Sequence, residues 1–203
     1  VLDATENKEG AALTAPFVAG FDVVIDFTTP EAVLTNMRAC LATGAKMVIG
    51  TTGWYAKLDD MQSLAERRDA SLLYGTNFSI GVQLMMGLTK QMVAALKDAG
   101  YTFSISETHH TSKLDSPSGT AITLSEAVKT VVDPNTEIPI SANRVGDAAG
   151  IHTIEATSSS DRILLTHEST SRRPFAEGAV RAAEWLSSAK RGVYNIRDVY
   201  TQL

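Results

Sequence analysis

The residues best suited to chemistry crowd into one stretch, Glu107-Thr108-His109-His110-Thr111-Ser112-Lys113-Leu114-Asp115-Ser116-Pro117-Ser118-Gly119-Thr120. An alternating apolar run precedes it and a helical pattern follows. Adjacent histidines at a strand end project to opposite sides, so His109 and His110 should have different jobs. A solvated loop with incidental charges would have the same composition. A zinc site fits less well, because two neighbouring histidines with no cysteine nearby lack the usual ligand spacing. An anion site fits better. Pro117-Ser118-Gly119-Thr120 opens a helix, whose first backbone N–H groups favour a carboxylate or phosphate. Gly119 permits close approach of the backbone. Lys113 adds a mobile positive charge, and His109 or His110 offers a proton near neutral pH. Together they suggest a pocket for a small acidic substrate with an acid ready to protonate it.

Three further segments are candidates. Gly50-Thr51-Thr52-Gly53 and Gly75-Thr76-Asn77-Phe78-Ser79-Ile80-Gly81 both follow short apolar strands. Small residues there let a flat or phosphorylated ligand reach the backbone, although a plain strand-to-helix turn or a helix cap would look the same. Arg172 and Arg173 precede a helix, either as a solvated turn or as a planar fork for an anion. Cys40 lies among apolar residues at helical spacing and reads as core. His152 and His167 fall in predicted strands and read as structural. Trp54 reads as a loop anchor and Trp185 as packing.

The elements that must position these residues are legible from hydrophobic period. Phe21 to Phe27 is a nearly continuous apolar run, the pattern of a strand covered on both faces. Thr29 and Pro30 open a helix carrying Ala32, Val33, Met37, Cys40 and Leu41, and Gly44 stops it. Strands at Lys46 to Ile49 and Ser71 to Tyr74 flank a helix from about Lys57 to Asp69. Strands separated by helices predict a parallel sheet whose ligands bind beyond its carboxyl edge. A helix from about Gly81 to Asp98 should bury Val82, Leu84, Met85, Leu88, Met92, Ala95 and Leu96. The period then changes. Tyr101, Phe103 and Ile105 alternate with polar residues, as do Ile138 to Arg144, Ile151 to Ala156 and Arg162 to His167. This middle region predicts a mixed or antiparallel sheet with a helix at about Thr120 to Val132. A last helix, about Pro174 to Lys190, should bury Val180, Ala183, Trp185 and Leu186, and Val193 to Tyr200 follows it.

Composition narrows the classes. With 203 residues, 44% hydrophobic and 20% charged, the chain is neither disordered nor fibrous. The net charge of −5 argues against a nucleic-acid footprint. One cysteine excludes an internal disulfide and fits a reducing cytoplasm. No apolar run reaches the length of a membrane helix.

At the segment from Glu107 to Thr120 the chain resembles the dihydrodipicolinate reductases, also called 4-hydroxy-tetrahydrodipicolinate reductases, of bacterial diaminopimelate and lysine synthesis. The stretch matches their E-x-H-H-x-x-K-x-D-x-P-S-G-T signature at every fixed position. Asp22 to Thr28, the Gly50–Gly53 turn, Asn77 to Gly81 and Phe175 to Val180 match as well. The resemblance implies a cytoplasmic, homotetrameric α/β enzyme that binds neither nucleic acid nor membrane. It would have a Rossmann-like parallel sheet over 1–79, completed by 172–203, and an α+β substrate-binding and tetramerisation domain with a mixed sheet over 80–171. It implies reduction of a cyclic dicarboxylate by NADH or NADPH. By position, His109 is the proton donor and acceptor, and Lys113 donates a proton and orients the substrate. His110, Ser118, Gly119 and Thr120 bind substrate. Gly50, Thr51, Thr52, Gly75, Thr76, Asn77 and Phe78 line the cofactor, and Arg172 matches an arginine that approaches it. No metal is implied.

One departure is large. The family's G-x-x-G-x-x-G fingerprint has no counterpart before residue 20. Val1 to Asn7 reads instead as the second strand of the dinucleotide fold, with Glu6 the candidate for the adenosine ribose and Asp3 the runner-up. Asn7, where a basic residue often holds the NADP phosphate, tilts the preference toward NADH. The expectation is therefore that a strand, a turn and a helix, roughly 30 residues, precede Val1. The full-length protein would then be active and these 203 residues alone would not. The alternatives are another dinucleotide-fold oxidoreductase, or a non-catalytic dicarboxylate-binding or assembly protein that lost the nucleotide-binding turn.

Overall fold

The computed structural model describes residues 1–200, which fold into two compact units. One joins Val1–Phe78 to the C-terminal part from Ala176 onward; the other is Ser79–Phe175. The expected completion by 172–203 extends three residues beyond those described.

In the first unit, α1 (Ala15–Val18), β1 (Val24–Asp26), α2 (Pro30–Ala42), β2 (Lys46–Ile49), α3 (Leu58–Arg67) and β3 (Ser71–Tyr74) follow in order. The sheet is all parallel, in the order β1-β2-β3-β8, where β8 is Val193–Asn195. Strands β2 and β3 are covered on both faces, with Met47, Val48, Ile49, Leu72 and Leu73 fully buried, whereas the Phe21 to Phe27 run, expected to be covered, leaves Phe21, Ile25 and Phe27 exposed at the edge of the sheet. Thr29 caps α2 by accepting the Ala32 N–H, with Pro30 in the first helical position. The Lys46 ammonium donates to the carbonyls of Leu186 and Ser187 near the end of α6 (Arg173–Ser188), where a cation suits the helix dipole.

The start of the chain departs from expectation. Val1 to Asn7 forms turns, not a strand. The Asp3 carboxylate accepts the backbone N–H groups of Thr5 and Glu6, and the Asn7 N–H bonds the Asp3 carbonyl. Short polar side chains that bond nearby backbone in this way compete with strand pairing. Helix faces also shift. In α6 the buried residues are Gly178, Ala179, Ala182 and Leu186, while Val180 is exposed. The glycine is required there, because a Cβ on Gly178 would lie 1.8 Å from the Phe78 carbonyl oxygen.

The second unit holds α4 (Ile80–Leu96), β4 (Thr102–His109), α5 (Gly119–Lys129), β5 (Ile140–Arg144), β6 (Ile151–Thr157) and β7 (Arg162–Glu168). Its sheet, ordered β5-β4-β6-β7, is mixed: β4 and β5 are parallel and the other pairs antiparallel. In β4 the residues Phe103, Ile105, Glu107 and His109 alternate onto the buried face. The core there gathers Phe103, Ile105, Ala121, Leu124, Val128 and Ile154. In α4 the inner stripe is Val82, Met86, Thr89 and Val93, whereas Leu84 and Leu88 are exposed. The remaining element, α7 (Ile196–Val199), is capped by Asn195. Among the described residues no helix is long and apolar enough to cross a membrane.

Candidate active site

Strand alternation separates the two histidines. His109 continues the inward series and is buried, while His110 follows it out of the strand and is half-buried. The same alternation buries Glu107 beside His109. The antiparallel register sets His152 of β6 opposite Glu107, and the parallel register sets Arg144 of β5 beside His109.

Glu107 is the hub of this cluster. Its carboxylate accepts both the backbone N–H of Ser118, at 2.9 Å, and the Ser118 hydroxyl. Arg144 Nη2 lies 3.3 Å from Oε1, and His109 Nδ1 and His152 Nε2 lie 3.5 and 3.6 Å from Oε2. Burial alone would raise the Glu107 pKa. The close approach of His152, the hydrogen bonds from Ser118 and the neighbouring His109 outweigh it and hold the pKa at about 2. His109 is pushed down to about 4, first by burial and then by His152, against the opposing pull of Glu107.

Glu107, His109 and His152 offer ligand atoms within 4.8 Å of one another, close enough for a metal ion. The surroundings argue for a hydrogen-bond hub instead. Arg144 places a positive charge on the same carboxylate, and Ser118 already occupies both of its oxygens. Among the described residues the outer nitrogen of His152 has no acceptor to orient it as a ligand.

Ser118 also caps α5 by accepting the Ala121 N–H. Buried Ser118 and Thr120 flank Gly119, so these three residues form the helix start that the sequence predicted as an anion site. A carboxylate of the chain itself, Asp115, lies close to this helix start. Lys113, expected to be mobile, pairs with Asp115 at 2.7 Å. Burial would raise the Asp115 pKa, but Lys113 and the backbone N–H groups of Asp115 and Gly119 hold it below the usual range.

His110 faces a separate cavity of about 390 Å³, lined with Ser112, Gly146, Asp147, Ala149, Thr170, Ser171 and Arg172. Arg172 Nη2 donates to His110 Nε2 at 2.9 Å, and His110 Nδ1 lies 2.7 Å from Ser112 Oγ. Because arginine only donates, His110 is a neutral ring protonated at Nδ1. Burial, and then Arg172, lower its pKa. Arg172, expected at the cofactor, belongs to the 79–175 unit and bonds His110 there.

The cofactor candidates lie in the first unit, where Gly50–Gly53 and Gly75–Phe78 leave the carboxyl ends of β2 and β3. Thr51 is buried and locked by Asp26, whose carboxylate accepts from Thr51, Thr28 and Asn36. Asn36 in turn receives the Asn7 amide, so Asn7 serves structure. A Cβ on Gly50 would fall 2.1 Å from the tip of the half-exposed Phe27 ring, so a side chain there would displace that ring. Phe27 packs against buried Phe78 at 5.6 Å. Thr52, Thr76 and Asn77 stay half-buried at this edge, so their polar groups suit a dinucleotide. Glu6 is exposed in the N-terminal turn, where its carboxylate accepts the Asp3 N–H.

Sequence reasoning missed Glu107, Asp26, Arg144 and Asp115 as site-forming residues and treated His152 as structural. One signal was available for Glu107: it is a charged residue on the apolar phase of an alternating strand. Cys40 is core, as read, and burial raises its pKa to about 11.

Two family models match, "Dihydrodipicolinate reductase, N-terminus" over residues 5–78 and "Dihydrodipicolinate reductase, C-terminus" over 81–200. A 4-hydroxy-tetrahydrodipicolinate reductase of Christiangramia forsetii is 38% identical over 198 residues, covering 90% of this chain and 80% of the relative. One from Chromobacterium violaceum is 37% identical over 218 residues, covering 95% and 79%. Among solved structures, dipicolinate-bound dihydrodipicolinate reductase from Paenisporosarcina sp. TG-14 superposes with a TM-score of 0.67. It is 28% identical, over 87% of this chain and 73% of that one.

Proposed function

From the premise that this chain belongs to the dihydrodipicolinate reductase family, we propose how its residues carry out that family's reaction. The chain is an oxidoreductase of lysine biosynthesis that reduces 4-hydroxy-tetrahydrodipicolinate with NADH or NADPH. The bound nicotinamide supplies the hydride. We assign its binding to the first unit, through Gly50, Thr51, Thr52, Gly75, Thr76, Asn77 and Phe78, with Glu6 for the ribose.

The second unit takes the cyclic dicarboxylate. Its substrate residues are His110, Ser118, Gly119 and Thr120. One substrate carboxylate replaces Asp115 at the start of α5, and Lys113 swings from Asp115 onto the substrate. Hydride addition to a conjugated imine leaves electron density that must be protonated, and His109 Nε2 delivers that proton. Arg172, assigned to the cofactor, is also proposed to meet the other carboxylate, which its bond to His110 supports. The observation that carries this reading is the Lys113–Asp115 pair beside the Gly119 N–H. A carboxylate 2.7 Å from the lysine proposed for the substrate supports that role.

We also infer a cytoplasmic homotetramer assembled through the second unit. Exposed Leu84, Leu88, Ile163 and Leu164 support this, and light scattering tests it. The activity test is oxidation of NADH or NADPH by the full-length protein with freshly generated substrate. Turnover with this substrate, and none with simple keto acids, is expected. Dicarboxylate binding with no oxidation of either cofactor would favour the non-catalytic alternative.

A further inference from the structure

We propose that Glu107 is a positioning residue, one buried carboxylate that decides which nitrogen of His109 handles the proton while anchoring the start of α5. The inference rests on the reductase reading and adds a residue to it.

Glu107 is 1% exposed and meets groups from four elements: Ser118 at α5, Arg144 on β5, His152 on β6 and His109 on its own strand. An ionised carboxylate can only accept hydrogen bonds. The nitrogen of His109 that faces it, Nδ1, therefore carries a proton, and Nε2 is left to exchange one. Nε2 points toward Gly150, where a Cβ would come within 3.1 Å of it. Gly150 has φ 144°, a conformation that favours glycine, so this edge of the ring stays uncovered. Among the described residues no group hydrogen-bonds His109 Nδ1, and Glu107 is the acidic group facing it. The 3.5 Å separation is longer than a hydrogen bond, as such contacts often are before substrate binds.

Charge supports the same role. The groups acting on His109 are Glu107, His152, Lys113 and Arg144, and only Glu107 favours the imidazolium. A general acid needs that cation, so the carboxylate supplies both orientation and charge. Ser118 couples the acid to the anion site. The same carboxylate that turns His109 also fixes the N-cap residue of the helix expected to hold the substrate.

The test is Glu107→Gln in the full-length protein. The Ser118 N–H and Arg144 can only donate, so they claim the amide oxygen, and the amide NH2 then faces His109 Nδ1. His109 should switch to the Nε2–H tautomer. Proton–nitrogen correlation spectra of the imidazoles are expected to show Nδ1–H in the wild type and Nε2–H in the variant. Turnover should fall at least about tenfold, less than the roughly 10²–10⁴-fold ascribed to removing a general acid outright. The limb where activity is lost as pH rises should move lower by on the order of 1 pH unit, because an anion beside the ring is gone. A folded variant with unchanged tautomer and unchanged limb overturns the proposal. If the variant does not fold, the wild-type spectrum decides: Nε2–H at His109 overturns the proposal and Nδ1–H supports it. A wild type that never oxidises NAD(P)H would end the reductase reading, while the tautomer would still decide the role of Glu107.

Discussion

The carboxylate of Glu107 receives both donors of Ser118, its backbone N–H and its hydroxyl, and so ties the end of β4 to the first turn of α5. Ser118 also caps that helix. Replacing it with alanine removes the cap and one partner of a buried carboxylate. Ser118→Ala should therefore cost about 1–2 kcal/mol of stability, the range for a lost N-cap. It should raise the KM for the dicarboxylate more than it lowers turnover. Urea denaturation and steady-state kinetics check the two effects.

The same cluster makes the fold acid-sensitive. His109 is held at about 4 against an ordinary 6.5, and Glu107 at about 2 against an ordinary 4.5. Both are depressed, so the unfolded chain binds more protons than the folded one at intermediate pH. The stability each contributes is complete above its unfolded value and is lost as pH falls through its folded value. The urea midpoint should decline from pH 6.5 to 4 through His109 and again from 4.5 to 2 through Glu107. Glu107→Gln should lack the lower step.

A dianion brought beside His109 opposes the effects that keep it neutral. Binding of pyridine-2,6-dicarboxylate should therefore draw a proton onto the ring between about pH 5 and 7 and tighten as pH falls across that window. Calorimetry in two buffers of different ionisation enthalpy reads the uptake directly. It should vanish in His109→Gln.

His109 and Lys113 should fail differently. His109→Gln removes the proposed acid but leaves the proposed anion site, so turnover should drop about 10²–10⁴-fold with little change in KM. Lys113→Ala removes a cation that is already paired with a carboxylate at 2.7 Å, so turnover falls and KM rises together. Steady-state kinetics of the full-length variants separate the two patterns.

Much of the frame was legible because the periods are clear. Lys46–Ile49 and Ser71–Tyr74 are strands with the expected bounds, and Thr29-Pro30 starts its helix as read. The inner faces of α4 and α6 were less so. Both helices carry apolar residues on more than one side, and the close approach of Gly178 to Phe78, which turns α6, depends on a distant partner. The N-terminal turn was misread as a strand because Val1 and Leu2 are strand-like, while the hydrogen bonds of Asp3 decide the backbone. In the site, His109, Lys113 and Ser118–Thr120 could be singled out by type. The pairings Glu107–Ser118, Lys113–Asp115 and Arg172–His110 could not, because each depends on which side chains the sheet and loops bring together.

A crystal structure of the full-length protein with pyridine-2,6-dicarboxylate tests the site most directly. The expected result is one carboxylate at the Gly119 end of α5, with Lys113 moved from Asp115 onto the ligand and His109 Nε2 facing the ring. A ligand bound elsewhere, with Lys113 still on Asp115, would contradict it.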